Sequence, residues 1–327
     1  MSIATFPATA IDTTDRQFTV EGLQTGWPLS VISSLTCTVP KEFVHRAAVA
    51  EVLLTGWRRQ SDTHFTVAAQ WPRAHSFFTP VDGQYDPLLG AETIRQVGSL
   101  LSHAEFGVPF GHQFLMWDLH YTVHPPQLRV GAAPADLEME IECTSVRRRG
   151  GRLAGLRYEA TIHSNGQLIA SGGASFDCTS PEVYRRVRGD RAVPQLPGIL
   201  PAAVSPTSVG RGHTSDVVLS PTDRPDRWQL RADTHHPVLF DHPVDHIPGM
   251  VLLEAARQAG RAVSGGTFVP TQLHSEFSRY AEMDSPCWIE VQEVADAAPG
   301  LRTLRVTGHQ DDQPVFSCVL SAPRQQD

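Results

Sequence analysis

The chain has 327 residues, of which 41% are hydrophobic and 19% are charged, and its formal net charge is −8 at pH 7. This length predicts two domains of about 150 residues each, because a single hydrophobic core seldom extends beyond ~250–300 residues. The negative charge argues against general nucleic-acid binding, which depends on neutralising phosphates. No apolar run reaches the roughly 18 residues of a membrane-spanning helix, so no contact with a membrane is expected.

The first segment, residues 1–40, is predicted to be a loose N-terminal arm. Its start, MSIATFPATAIDTTD, lacks the basic residues and the apolar core of a signal peptide. The five cysteines are widely scattered and include no CxxC pair, so neither a zinc site nor a disulfide framework is expected. We therefore predict a cytoplasmic protein with reduced thiols, without a bound metal and without a cofactor.

The first half of the chain predicts one strand, one long helix and then an uninterrupted run of strands. Apolar residues alternate in the later segments, as at Leu137, Met139 and Ile141, which is typical of strands with one buried face. The predicted elements are a strand near 63–70, a helix at about 87–104, and β-rich segments at 112–124, 134–146, 151–164 and 167–178.

A connector separates this half from a second half with the same order of elements. Residues 179–212 contain five prolines, several glycines and the basic run at 185–188, a composition typical of a linking segment. The elements that follow are a strand near 227–234, a helix at about 248–264, and strands near 268–282, 286–295, 301–309 and 313–321. The predicted boundaries are an arm at 1–40, a first repeat at 41–180, a connector at 181–207 and a second repeat at 208–327.

Both predicted helices contain the pattern E-x-x-R-Q-x-G, beginning at Glu92 in the first and at Glu254 in the second. A histidine precedes each glutamate at nearly equal distance, His75 by 17 residues and His236 by 18. Farther upstream, Val44-His45-Arg46 is echoed by Val209-Gly210-Arg211. The chain is therefore a duplicated domain.

The order of elements in each repeat predicts an α+β fold. One long helix followed by consecutive strands gives an antiparallel sheet, and that helix alone can cover the apolar face of the sheet. We therefore expect two sheets, each wrapped around a central helix. Because unpaired sheet edges invite aggregation, we also expect the two sheets to join edge to edge as a pseudo-dimer.

A glutamate and an arginine lie three residues apart on one face of each helix, as Glu254 with Arg257 and Glu92 with Arg95. Their neighbours are apolar, and a buried Glu–Arg pair is costly unless it is hydrogen-bonded or used. Duplication copies structural and functional residues alike. An internal ion pair that fixes the helix and a functional site therefore both remain open.

Residues 235–246 form the densest cluster of polar functional groups in the chain. It contains the carboxylate–imidazole neighbours Asp241-His242 and Asp245-His246, whose spacing resembles that of metal ligands on a helix. Prolines within the segment disfavour a helix, so we interpret it as a loop. One histidine of this loop is expected to face the glutamate of the following helix in a general acid–base arrangement.

The segment from Phe240 to Gln258 resembles the histidine loop and central helix of hot-dog 3-hydroxyacyl-ACP dehydratases. However, the gap between His242 and Glu254 is slightly shorter than in those enzymes, and Arg257 replaces a small apolar residue. These departures point to a closer resemblance, to the AfsA family of A-factor biosynthesis hot-dog proteins. The resembling stretches begin at His75, Asp86, Gly107, Thr179 and Asp241 and together span both halves and the connector.

The resemblance implies a tandem double hot-dog fold and a reaction. The reaction is transfer of a β-ketoacyl group from acyl carrier protein to a hydroxyl of dihydroxyacetone phosphate. The product would be a 3-oxoacyl triose phosphate ester, a precursor of a γ-butyrolactone or of a related butenolide or furan signalling molecule. Such a transfer needs a base, donors for the thioester oxyanion and a cation for the phosphate.

Seven residues are predicted to carry this chemistry. Glu254 is the candidate base, with His242 as its acid–base neighbour and Glu92 as the equivalent carboxylate of the first half. The N–H groups of Gly249 and Met250, just after Pro248, are candidate oxyanion donors. Arg257, with Arg95 as its repeat partner, is the candidate cation for the phosphate.

Two other functions remain open. A dehydratase or thioesterase of the same fold would act on acyl thioesters, but it would have no use for Arg257. A receptor for an acyl lactone would be expected to carry a basic helix-turn-helix, which the sequence lacks. No serine or cysteine lies in a recognisable nucleophile elbow, so direct transfer is favoured over a covalent enzyme intermediate.

Overall fold

The computed structural model describes residues 2–3, 36–193, 199–265, 268–295 and 299–324. Most of the predicted N-terminal arm lies outside the described residues. Among the described residues, no helix is both long and apolar enough to cross a membrane.

Thirteen strands of the described part of the chain form one antiparallel sheet. The strands of the first half are β1 Ser2–Ile3, β2 Leu54–Arg59, β3 His64–Trp71, β4 Gln113–Val123, β5 Ala135–Arg149, β6 Arg152–Ser164 and β7 Gln167–Thr179. Those of the second half are β8 Leu219–Pro221, β9 Arg227–Leu230, β10 Gln272–Phe277, β11 Trp288–Glu293, β12 Leu301–Gln310 and β13 Gln313–Pro323. Their order across the sheet is β2-β3-β5-β6-β7-β4-β10-β13-β12-β11-β9-β8, and β1 pairs with β4.

Helix α1, Pro87–Ala104, is the central helix of the first half. Asp86 caps its start by accepting a hydrogen bond from the Leu88 N–H, and Pro87 suits the first helical position because its missing N–H is not needed there. Residues 87–103 of the helix are all buried, and the helix packs against β2, β3, β4, β6 and β7. The sheet therefore wraps around α1.

Helix α3, Gly249–Val263, has the same place in the second half, against β8, β11, β12 and β13. Residues 249–260 of this helix are buried. The strands of the two halves meet where β4 pairs with β10, with His120 opposite His274 and Tyr121 opposite Leu273. The predicted tandem hot-dog fold, with its sheets joined edge to edge, is confirmed.

Four of these elements were not predicted, and one of them, β1, lies within the predicted N-terminal arm. Strands β2 and β8 lie at the two ends of the sheet, and β8 has only three residues. Helix α2, Pro181–Arg188, lies within the predicted connector, and the side chain of Ser180 caps its start. Arg188 fixes this helix to the second half, because it donates to the backbone oxygen of Asp245 at 3.0 Å and to Glu282 at 2.6 Å.

Candidate functional site

Glu254 lies at the centre of a buried ion cluster in the second half. Its Oε2 accepts from the Nε of Arg257 at 2.9 Å, and its Oε1 accepts from the Nη2 of Arg257 at 2.6 Å. Arg211 reaches the same carboxylate from outside the helix, through Nε to Oε1 at 2.8 Å. Gln258 donates to it as well and ties it to the backbone oxygen of Asp216. The carboxylate is 0% exposed, so the four groups form one closed network.

The first half contains the same network around Glu92. Arg95 donates through Nε to Oε2 at 2.8 Å, and Arg46 donates through Nε to Oε1 at 3.1 Å. Gln96 donates to Oε1 at 2.7 Å and also to the backbone oxygen of Glu51. In each half, the pattern E-x-x-R-Q supplies a carboxylate, a guanidinium and an amide, and an upstream arginine adds a second guanidinium.

The arginines decide the charge state of both glutamates. Burial alone would raise the pKa of each carboxyl, but the two arginines beside it and their hydrogen bonds lower it to about 2 for Glu254 and for Glu92. Both oxygens of each carboxylate already accept hydrogen bonds within the cluster, so little capacity is left to take a proton from a substrate. Each cluster keeps one positive charge in excess of its glutamate.

Loops from the opposite half cross over each cluster. Arg46 donates to the backbone oxygen of Val238 at 3.2 Å, and Arg211 donates to the backbone oxygen of Phe77 at 2.6 Å. The guanidinium of Arg211 also lies 4.0 Å from the centre of the Phe77 ring. Each candidate site therefore combines a helix from one half with a loop from the other.

This crossing brings the loop of His242 into contact with the first half. Its neighbour Asp241 accepts hydrogen bonds from the backbone N–H groups of Ala47, at 2.5 Å, and Ala48, at 3.1 Å, both in the first half. The His242 Nδ1 lies 3.2 Å from Asp241. The sequence suggested that His242 faces the glutamate of its own half, whereas the contacts of its loop lead to the opposite one.

The two central helices differ in how the backbone N–H groups at their starts are satisfied. At α1, Pro87 has no N–H and the Leu88 N–H is held by the Asp86 side chain. At α3, the cap position is Pro248, and no side chain caps the N–H groups of Gly249 and Met250. Of these two helices, only α3 thus has backbone N–H groups at its start that no side chain caps.

The histidine that precedes the glutamate in each half has a structural role. His75 and His236 each accept hydrogen bonds from two backbone N–H groups of their own loop. Their Nε2 atoms lie 3.3 Å from the carboxylates of Glu51 and Asp216, respectively. These histidines hold the crossing loops in shape.

The second carboxylate–imidazole pair of the histidine loop anchors the connector. Asp245 accepts a hydrogen bond from the Tyr184 hydroxyl at 2.6 Å and lies 2.6 Å from the Nδ1 of His246. Among the described residues, no group of three or more His, Cys, Asp or Glu side chains is arranged to hold a metal ion. In this loop, Asp241 therefore contacts the first half, whereas Asp245 holds the connector.

Arg46 and Arg211 are the site residues that sequence reasoning missed. Both lie in the echoed tripeptides upstream of the first strands, which indicated repetition and gave no sign of contact with the helices. A signal was nevertheless present, because a buried Glu–Arg pair with apolar neighbours requires a further cation or donor to complete its hydrogen bonds.

The fold and the crossed sites define a tandem hot-dog protein. The solved structure of a putative oleoyl thioesterase from Lactobacillus plantarum is similar in fold alone. Its TM-score is 0.50 at 10% sequence identity, and the alignment covers 80% of this chain and 97% of that one. A family model described as the A-factor biosynthesis hotdog domain matches residues 28–180 and 196–322. The chain belongs to the AfsA family.

Two relatives match almost the whole chain, and both are named 2-oxo-3-(phosphooxy)propyl 3-oxoalkanoate synthase. The relative from Streptomyces virginiae is 64% identical over 287 residues, which cover 88% of this chain and 98% of the relative. The relative from Streptomyces coelicolor is 46% identical, over 89% of this chain and 94% of its own length.

Proposed function

We propose that the protein is an acyltransferase that moves a 3-oxoacyl group from an acyl carrier protein thioester to the free hydroxyl of dihydroxyacetone phosphate. The observation that carries this proposal is the 64% identity, over nearly the whole length, to a synthase whose name describes such an ester. The product is a precursor of a γ-butyrolactone or of a related butenolide or furan signalling molecule.

The proposed transfer assigns a task to each predicted site residue. The open N–H groups of Gly249 and Met250 suit the oxyanion that forms when the thioester carbonyl is attacked. His242, held by Asp241, supplies a proton to the departing sulfur.

Arg95 and Arg257 are the candidate cations for the substrate phosphate, because guanidinium groups make charge-assisted hydrogen bonds with phosphate. Glu92 and Glu254 hold these arginines in place. The role of either glutamate as a base stays a prediction, and a pKa of about 2 for each favours the holding role.

Product analysis tests the proposal. The protein is incubated with a synthetic 3-oxoacyl thioester, on carrier protein or on a small thiol, together with dihydroxyacetone phosphate. Mass spectrometry should detect the phosphorylated ester. Dihydroxyacetone should be at least about 100-fold poorer in kcat/KM, because the excess positive charge of the buried cluster would then have no phosphate to pair with. If water or dihydroxyacetone accepts the acyl group as readily, the protein is a thioesterase-like enzyme and the proposal is wrong.

Two matched variants, Arg95→Ala and Arg257→Ala, locate the phosphate. The variant that removes the phosphate contact should lose efficiency with dihydroxyacetone phosphate while keeping its low rate with dihydroxyacetone. The other should affect both acceptors equally. If both variants keep the wild-type ratio of kcat/KM for the two acceptors, neither arginine binds the phosphate.

A further inference from the structure

His45 has a left-handed backbone conformation. It follows the short 3-10 helix Lys41–Val44 and has φ 53° and ψ 53°, in the left-handed region that residues other than glycine rarely adopt. The equivalent residue of the second half is Gly210, with φ 71°. Strain of this kind persists where the surrounding structure imposes it, and it is concentrated at functional sites.

The imidazole of His45 is fixed by a second histidine. The Nδ1 of His103 lies 2.6 Å from the backbone oxygen of Val108, which can only accept, so this nitrogen carries the hydrogen. The Nε2 of neutral His103 is then an acceptor, and it lies 2.6 Å from the Nε2 of His45. His45 therefore donates through Nε2 and keeps a lone pair on Nδ1.

That lone pair is buried. His45 is 2% exposed, and within the described residues its Nδ1 has no hydrogen-bond partner. A buried polar atom without a partner costs on the order of 1–3 kcal/mol, and such atoms in folded proteins call for an explanation. The Phe114 ring packs 4.8 Å from the imidazole and shields it from water.

The surroundings keep His45 neutral. Burial lowers its pKa well below 6.5, and His103, Arg95 and His242 lower it further through their charges. The chain on either side of His45 contacts the first-half site: Arg95 donates to the backbone oxygen of Val44 at 3.1 Å, and the Ala47 N–H donates to Asp241 at 2.5 Å.

We infer that His45 is the general base of the acyl transfer at the first-half site, and that His103 is its positioning residue. This inference rests on the proposed function. The Nδ1 of His45 takes the proton of the acceptor hydroxyl, and the oxygen forms a bond to the thioester carbonyl carbon. The C–S bond breaks, and the sulfur leaves with the electron pair and takes a proton from His242. The proton on His45 then restores His242, so no other reactant is consumed.

At the position equivalent to His45, the second half has Gly210. A side chain at Gly210 would collide with Arg261, whose Nε would lie 2.3 Å from a Cβ atom there. Chemistry is therefore confined to the site that combines Glu92, Arg95 and His45 with the loop of His242. Of the two matched arginine variants, Arg95→Ala is expected to lose the preference for the phosphorylated acceptor.

The variant His45→Gly tests the assignment without backbone strain, because glycine adopts this conformation freely. It should still fold and unfold cooperatively, with kcat lower by about 100-fold or more and KM for the thioester unchanged. Added imidazole should restore part of the rate by occupying the vacated space. The acidic limb of the pH–rate profile should then move to higher pH, because free imidazole lacks the lowered pKa of His45.

The control is His64→Gly, since the His64 side chain is 55% exposed and lies on β3. It should keep wild-type kcat and gain nothing from imidazole. For His103, the variant His103→Ala should lower kcat at constant KM, and the double variant with His45→Gly should be no slower than His45→Gly alone.

Each outcome decides a separate question. If the wild type makes no ester, the proposed function fails. If the wild type makes the ester and His45→Gly retains more than about a tenth of its kcat, only the base assignment fails. Loss of activity in a folded His45→Gly protein that imidazole does not restore, or an additive double variant, would likewise overturn the assignment.

Discussion

The buried glutamates are the residues on which both halves most depend. Replacing Glu254 with Gln leaves two buried arginines without their anion, so the free energy of unfolding should fall by roughly 3–5 kcal/mol. Urea unfolding measures this change. The matched control is Glu276→Gln, whose carboxylate is 67% exposed beside His274 and which should change stability by less than about 0.5 kcal/mol. Equal effects of the two substitutions would contradict the structural importance of the cluster.

The free energy of unfolding should fall in two stages as the pH is lowered. The pKa values of His45, His103 and His246 are lowered by burial in the folded protein, so below pH 6.5 the unfolded chain binds more protons and unfolding is favoured. Glu92 and Glu254 add a second loss as the pH falls from about 4.5 towards 2, because the unfolded chain takes up protons there first. Urea unfolding at a series of pH values between 7 and 5 should therefore show a falling midpoint. A flat midpoint over this range would show that the histidines are protonated in the folded protein as well.

At the scale of elements, the fit of α1 into its sheet is tight at one glycine. A Cβ on Gly98 would lie 2.7 Å from the Phe176 ring and 3.0 Å from Tyr158, so Gly98→Ala should destabilise the protein by roughly 1–3 kcal/mol. Gly90→Ala on the same helix is the control. Its nearest neighbour would be 4.0 Å away, so the higher helix propensity of alanine should leave stability equal or up to about 1 kcal/mol higher. Thermal denaturation of both variants checks the sign of each change.

Most elements were predictable because their signals are local. The start of α1 carries its cap and proline at Asp86 and Pro87, and the long strands alternate apolar and polar residues. Strand β8 was missed because three residues are too few for a period. Helix α2 was missed because Arg188 holds it through Asp245 and Glu282, which are distant in sequence.

At the scale of the whole molecule, the two halves should unfold together. Arg46 and Arg211 each donate to a loop of the other half, and β4 and β10 share one ladder. Because neither half completes its site alone, calorimetry should show one transition with equal calorimetric and van't Hoff enthalpies. Two separated transitions would mean that the crossing contacts contribute little to the folding of either half.

The composition of the sites could be predicted from the sequence only in part. The repeat identified Glu92, Arg95, Glu254 and Arg257 as equivalent pairs. It did not reveal that the loop of His242 crosses to the first half, because that crossing depends on which edge strands pair. Local patterns carry no information about contacts between residues 190 or more positions apart.

The junction of β4 with β10 has a consequence for how such a protein can diverge. In a homodimer of identical chains, every substitution appears in both sites, so the two sites stay alike. Joining the two units in one polypeptide removes that constraint, and His45 can stand opposite Gly210. One chain of this protein corresponds to a whole dimer of single hot-dog units. With one base per chain, a reactive thioester analogue should label each chain once, whereas a symmetric homodimer would be labelled twice.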